Sequence, residues 1–168
     1  NFFGGPTHGS VCLGTVLIKY SNQRIFLSVD ISIDEALKRG QEAQKAGLVQ
    51  KADRYFTAIL KANPKHPQAN FNMGLLGISL GKLEATLPFF ETAIKGNPNS
   101  ENYWFRYIQT LIDSGNGNRA KDVLREARLY CKNVNSLEQF EIQLEDIYQP
   151  ESQRVSLDPS EGALNDLL

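Results

Sequence analysis

Two prolines, Pro64 and Pro98, stand 34 residues apart, and each closes a segment of the same pattern. Aligned on them, Ile33–Pro64 and Pro67–Pro98 carry Gly at the eighth place (Gly40, Gly74) and at the fifteenth (Gly47, Gly81). Both carry Phe at the twenty-fourth (Phe56, Phe90). A third segment from Glu101 keeps the register with Gly115, Ala120, Leu124 and Ala127. A unit of this length is a helical hairpin, and one hairpin cannot bury its apolar face alone. The period therefore commits the chain to hairpins that stack on their neighbours.

The first hairpin is expected to have one helix from Ser32 or Asp34 to about Ala46 and a second from about Gln50 to Ala62. Asn63-Pro64-Lys65-His66-Pro67 stops it, because proline cannot continue a helix and restricts the residue before it. The second hairpin is expected at Pro67–Leu80 and Leu83–Lys95, with Pro88 near a helix start, where its missing N–H costs least. The third is expected at Ser100–Asp113 and Asn118–Cys131, around a glycine-rich turn. Leu137, Phe140, Leu144 and Ile147 then form an amphipathic stripe that predicts one further helix, a cap over the last hairpin.

Residues 1–31 stand outside the period. Two β-rich runs, Ser10–Tyr20 and Arg24–Ile31, predict a β-hairpin turning at Ser21-Asn22-Gln23. Such a hairpin is marginal in isolation, so it either docks on the helices or pairs two copies of the chain. At the other end, Gln149–Leu157 reads as a polar linker, and Asp158-Pro159-Ser160-Glu161 as the start of another helix carrying Leu164, Leu167 and Leu168. From that unpartnered apolar face the protein is expected to continue.

Composition narrows the function classes. A net charge of −1, with no block of either sign, disfavours a nucleic-acid surface. No run reaches the roughly 18 apolar residues of a membrane span. Cys12 and Cys131 fit no metal or redox spacing and read as free thiols in a reducing, cytoplasmic setting. No nucleophile motif, phosphate loop or metal-ligand spacing is present, so neither a cofactor nor an enzyme activity is expected. His66 reads as an exposed structural residue, and Glu138, Glu141 and Glu145 as a solvated helix face.

The Gly, Ala, Phe and Pro places, with Trp104 at the fourth place of the third segment, resemble the tetratricopeptide repeat over residues 33–134. Thr86 departs from the pattern at the twentieth place, as do Ile108 at the eighth and Lys132 at the last. The resemblance implies an all-α fold: a right-handed superhelical stack of three tetratricopeptide helical hairpins (33–66, 67–100, 101–134) plus a capping helix at 135–148, with the β-hairpin ahead of it. The run from Ser32 to Ser100 is also similar to the N-terminal arrays of bacterial multidomain proteins with sulfotransferase-, methyltransferase- or glycosyltransferase-like domains.

In the register of that family the groove lies along the first helix of each hairpin. Lys38, Gln41 and Lys45 are then the groove residues of the first repeat, and Phe71, Asn72, Leu75 and Ile78 those of the second. Asn102, Phe105, Arg106 and Gln109 are those of the third. Phe71 and Phe105 are expected as apolar anchors, with Lys38, Asn72 and Arg106 as polar partners. Members that grip a C-terminal carboxylate use five polar groups. Asn72 and Arg106 match, whereas Leu37, Gln41 and Asn102 do not. Asn72 and Arg106 read equally as a hydrogen-bonded groove wall. Two functions follow: a non-catalytic module that binds a protein or peptide segment, or a spacer or self-association element positioning a downstream transferase domain, with residues 10–31 as its dimer contact.

Overall fold

The computed structural model describes residues 15–19, 28–132 and 134–148. The chain divides into two compact units, Asn1–Pro98 and Asn99–Leu168. The predicted linker, the tail helix and the turn at Ser21-Asn22-Gln23 lie outside the described residues.

In the first unit, β1 (Thr15–Lys19) pairs antiparallel with β2 (Ser28–Ser32), Val16 opposite Ile31 and Leu17 opposite Asp30. The rest of the two predicted runs, residues 10–14, 20 and 24–27, lies outside the described residues. Ile31 is buried in the core of the helices that follow, which supports docking of this segment. Ser32 ends the strand and caps α1 (Ile33–Lys45), its hydroxyl accepting from the Glu35 N–H at 3.1 Å. Asp34 and Glu35 then place negative charge at the positive end of the helix. The partner helix is α2 (Val49–Ala62).

The second hairpin of this unit is α3 (Pro67–Ser79) and α4 (Leu83–Gly96). Its entry is built from polar groups. The imidazole Nδ1 of His66 accepts from the Ala69 N–H at 3.2 Å, so His66 is a half-buried helix cap rather than an exposed bystander. The buried Asn70 amide donates to the carbonyls of Pro64 and His66 at 3.0 and 2.9 Å, tying the turn to the start of α3. Helix α4 runs through Pro88, whose carbonyl accepts from the Thr92 hydroxyl at 2.8 Å.

The eighth and twenty-fourth places explain why each helix pair closes. A Cβ on Gly40 would lie 2.5 Å from Cε1 of Phe56, and one on Gly74 would lie 2.7 Å from Cζ of Phe90. Each ring therefore sits on the bare backbone of its own hairpin, and both phenylalanines are fully buried. Thr86, which looked like a departure at the twentieth place, stands against Gly77, where a Cβ would collide with the Thr86 methyl. The larger side chain on one helix is met by a missing one on the other.

In the second unit, α5 (Glu101–Asp113) and α6 (Gly117–Ala127) form the third hairpin, and α7 (Val134–Tyr148) packs on both. Ile108 and Leu124 occupy the eighth and twenty-fourth places here, and both are buried. Helix α6 ends four residues before the predicted Cys131. The chain tightens there: Tyr130 N–H bonds to the Ala127 carbonyl at 3.0 Å, and the Tyr130 ring stacks on Trp104 at 5.5 Å. The Lys132 N–H then donates to the Glu101 carboxylate at 2.6 Å, pinning this turn to the start of α5. In α7, Leu137 and Leu144 are buried as the stripe predicts, and Arg128 pairs with Glu141. Ile147, counted in the buried stripe, is 49% exposed because it lies in the last turn.

All three hairpin turns place Gly47, Gly81 and Gly115 at φ of 70, 71 and 76°, the left-handed region that side chains avoid.

The ring-on-glycine contact is directly testable. Gly74→Ala should destabilise the chain by about 1–3 kcal/mol in urea unfolding, because the Phe90 ring cannot swing clear of a packed core. Adding Phe90→Leu should recover part of that loss, since the shorter side chain makes room for the new methyl. Strictly additive costs would contradict the contact.

Candidate functional site

The sequence register singled out eleven groove residues, and the structure sorts them by depth. In the first unit, Lys38 and Lys45 on α1 are exposed, Gln41 is half-buried, and no carboxylate among the described residues pairs with either lysine. On α3, Leu75 and Ile78 are half-buried. Phe71 is not an available anchor: it is 5% exposed and packs edge-on against Phe90 at 5.8 Å between centroids. Its ring belongs to the core, because the Phe90 ring that covers Gly74 also reaches the neighbouring turn of α3.

Asn72 is the unusual residue of this face. Its side chain is 5% exposed, and its Nδ2 has no hydrogen-bond partner among the described residues. A buried N–H left unpaired costs about 1–3 kcal/mol. Among the described residues, that nitrogen therefore bonds no neighbouring helix. Helix α3 carries no charged residue along its 13 positions, so the donor lies in uncharged surroundings on its own helix.

In the second unit, Asn102 and Arg106 on α5 are exposed, and the Arg106 guanidinium has no ion pair among the described residues. Gln109 is engaged, its Nε2 donating to Asp113 at 2.8 Å. Phe105 is half-buried against Phe140 of α7, with centroids 6.0 Å apart. It is therefore partly consumed in holding α7 and offers only a remnant of the expected anchor.

A feature that periodicity did not flag is a notch on the α1–α2 hairpin. Leu48, Val49, Lys51, Arg54 and Tyr55 border a recess of about 520 Å3. A second recess of about 540 Å3 reaches Arg39, Glu42 and Ala43. The one sequence sign was Leu48, an apolar residue in a turn, which is 51% exposed.

Titration behaviour here follows burial. The Arg39 guanidinium is held above its ordinary value by its hydrogen bond to Glu35 at 2.6 Å. Burial pushes up the Tyr103 phenol, and it pushes up the Cys131 thiol with help from the Glu101 carboxylate. Tyr107 is pushed up to about 12 by burial and secondarily by Glu126. Among the described residues, no group of three or more His, Cys, Asp or Glu could hold a metal ion. No helix among them is long and apolar enough to cross a membrane.

No protein-family model matches the sequence, and neither does any curated protein. Solved structures do match in three dimensions. The TPR2B domain of yeast Sti1, in complex with pHsp70, aligns with a TM-score of 0.61 at 17% identity, covering 68% of this chain and 97% of that one. The first TPR of Spaghetti (RPAP3), bound to an HSP90 peptide, aligns at 0.58 and 17% identity, covering 67% and 92%. The fold is that of a tetratricopeptide-repeat protein. A Thermobaculum terrenum O-GlcNAc transferase mutant aligns at 0.54 and 18% identity, over 69% of this chain and 26% of that one. Stacked tetratricopeptide hairpins account for the small eighth place, the glycine turns and the inter-hairpin prolines described above.

The raised phenol sets a pH dependence. Folding keeps Tyr107 protonated up to about 12, whereas the unfolded phenol ionises near its ordinary value of 10.0. The stabilisation is therefore complete below the lower value and is lost as pH rises between the two. The unfolding midpoint should drop across that window, and Tyr107→Phe should flatten the drop. Identical alkaline profiles for both proteins would contradict the assignment.

Proposed function

We propose that this chain is a non-catalytic interaction module that binds an extended peptide or protein segment along the first helices of its tetratricopeptide hairpins. The observation that carries the reading is the Asn72 amide, buried and without an acceptor among the described residues. Turned outward from its buried position, that amide would donate to a main-chain carbonyl or a carboxylate of a partner, which would supply the acceptor. Leu75 and Ile78, half-buried on the same helix, would receive apolar side chains, and Lys38 and Lys45 on α1 would favour acidic flanking residues. In the second unit, Arg106 on α5 offers a free guanidinium suited to bidentate pairing with a carboxylate. The peptide complexes of the Sti1 and RPAP3 domains support the reading by analogy of fold.

A second reading treats the hairpins as a spacer that positions a separate transferase domain. It is favoured by the match to the O-GlcNAc transferase, in which the aligned part covers 26% of that chain.

The test is a peptide-library capture with the purified chain, followed by calorimetry on the strongest binder. Asn72→Leu should weaken binding roughly tenfold, the equivalent of 1.4 kcal/mol. It should leave thermal stability unchanged or raised, since an orphaned donor is removed. Arg106→Ala should weaken acidic binders only. No captured peptide, or full affinity in both variants, would overturn the module reading and leave the spacer. A loss of stability in Asn72→Leu would return Asn72 to a structural role.

A further inference from the structure

The turn between α5 and α6 contains an Asn-Gly pair, Asn116-Gly117, that occurs nowhere else in the chain. At the matching helix starts, the first two hairpins have Leu48-Val49 and Lys82-Leu83. Gly117 has no Cβ, so its backbone nitrogen can approach the side chain of the preceding residue without the clash a larger residue would bring. Asn116 is half-buried with φ −88° and ψ 50°, outside the helical well, at the point where the chain turns into α6. Its Nδ2 donates to the Ser114 hydroxyl at 2.9 Å and more weakly to the Ser114 carbonyl at 3.4 Å, which directs the amide nitrogen toward Ser114.

We propose that Asn116 is a site of spontaneous deamidation through a succinimide. The backbone nitrogen of Gly117 forms a bond to Cγ of Asn116 and gives up its proton to solvent. The Cγ–Nδ2 bond breaks, and the nitrogen leaves as ammonia. One water molecule then opens the five-membered ring at either carbonyl, yielding aspartate or its β-linked isomer. Water is consumed and ammonia is released; nothing is oxidised or reduced.

The position makes the change consequential. The product side chain only accepts, so both hydrogen bonds to Ser114 are lost. A new negative charge stands at the start of α6, whose first turn holds Arg119 and no acid. The β-linked isomer also lengthens the backbone by one methylene where α6 begins, and that helix carries the buried Ala120, Val123, Leu124 and Ala127. The second unit therefore has a built-in ageing site that the other two hairpin turns lack.

The folded chain should be incubated at mildly alkaline pH and mapped by peptide mass spectrometry. The segment containing residue 116 should gain about 1 Da, with two chromatographically separable products. In heavy-oxygen water the same segment should take up one label, and Asn116→Gln should abolish the gain. An unchanged segment while the denatured chain converts would overturn the proposal. So would a gain that first appears at another asparagine, or one that persists in Asn116→Gln.

Discussion

A phenylalanine ring lying on a glycine backbone is the contact on which the first two hairpins depend. Phe56 over Gly40 and Phe90 over Gly74 let two helices approach closely while filling the crossing with a large apolar group. Burying such a ring is worth roughly 2–3 kcal/mol by area, and the geometry works only if the opposite helix offers no Cβ. The pair is therefore one unit of information spread over two places sixteen residues apart. Changing either member alone creates a collision or a void.

The same logic accounts for the departures from the repeat pattern. Thr86 adds bulk at the twentieth place, and Gly77 removes it on the facing helix. Ile108 replaces the eighth-place glycine, and Leu124 stands where the phenylalanine would be. What resembles erosion of a motif is a redistribution of volume at nearly constant packing, the kind of change that cores tolerate best.

This also shows what was legible in the residues and what was not. The prolines set the register, and six helices follow it closely among the described residues, because turn chemistry and apolar periodicity are local properties. Depth is not local. The register places Phe71 on the groove side of α3, but only the direction of the Phe90 ring shows that Phe71 is core. Phe105 is partly covered for a related reason, since Phe140 comes from a helix outside the repeat. The end of α6 depended on Glu101, thirty-one residues from the Lys132 N–H it binds. Asn72 could be named from its place, but the lack of an acceptor for its Nδ2 among the described residues depends on surroundings that no spacing contains.

That lack carries a thermodynamic consequence. Small stacked hairpins have little stability in reserve, and an unpaired buried donor removes about 1–3 kcal/mol of it. A side chain of similar shape without the donor would fold at least as well, so folding alone gives no reason for asparagine at this position. In the proposed role the deficit is recovered when an acceptor docks, and the recovered free energy adds to affinity rather than to the fold. The neutrality of α3 fits the same division of labour. Helix α3 carries no charge of its own, so in the proposed role selectivity for charge would fall to Lys38 and Lys45 on α1.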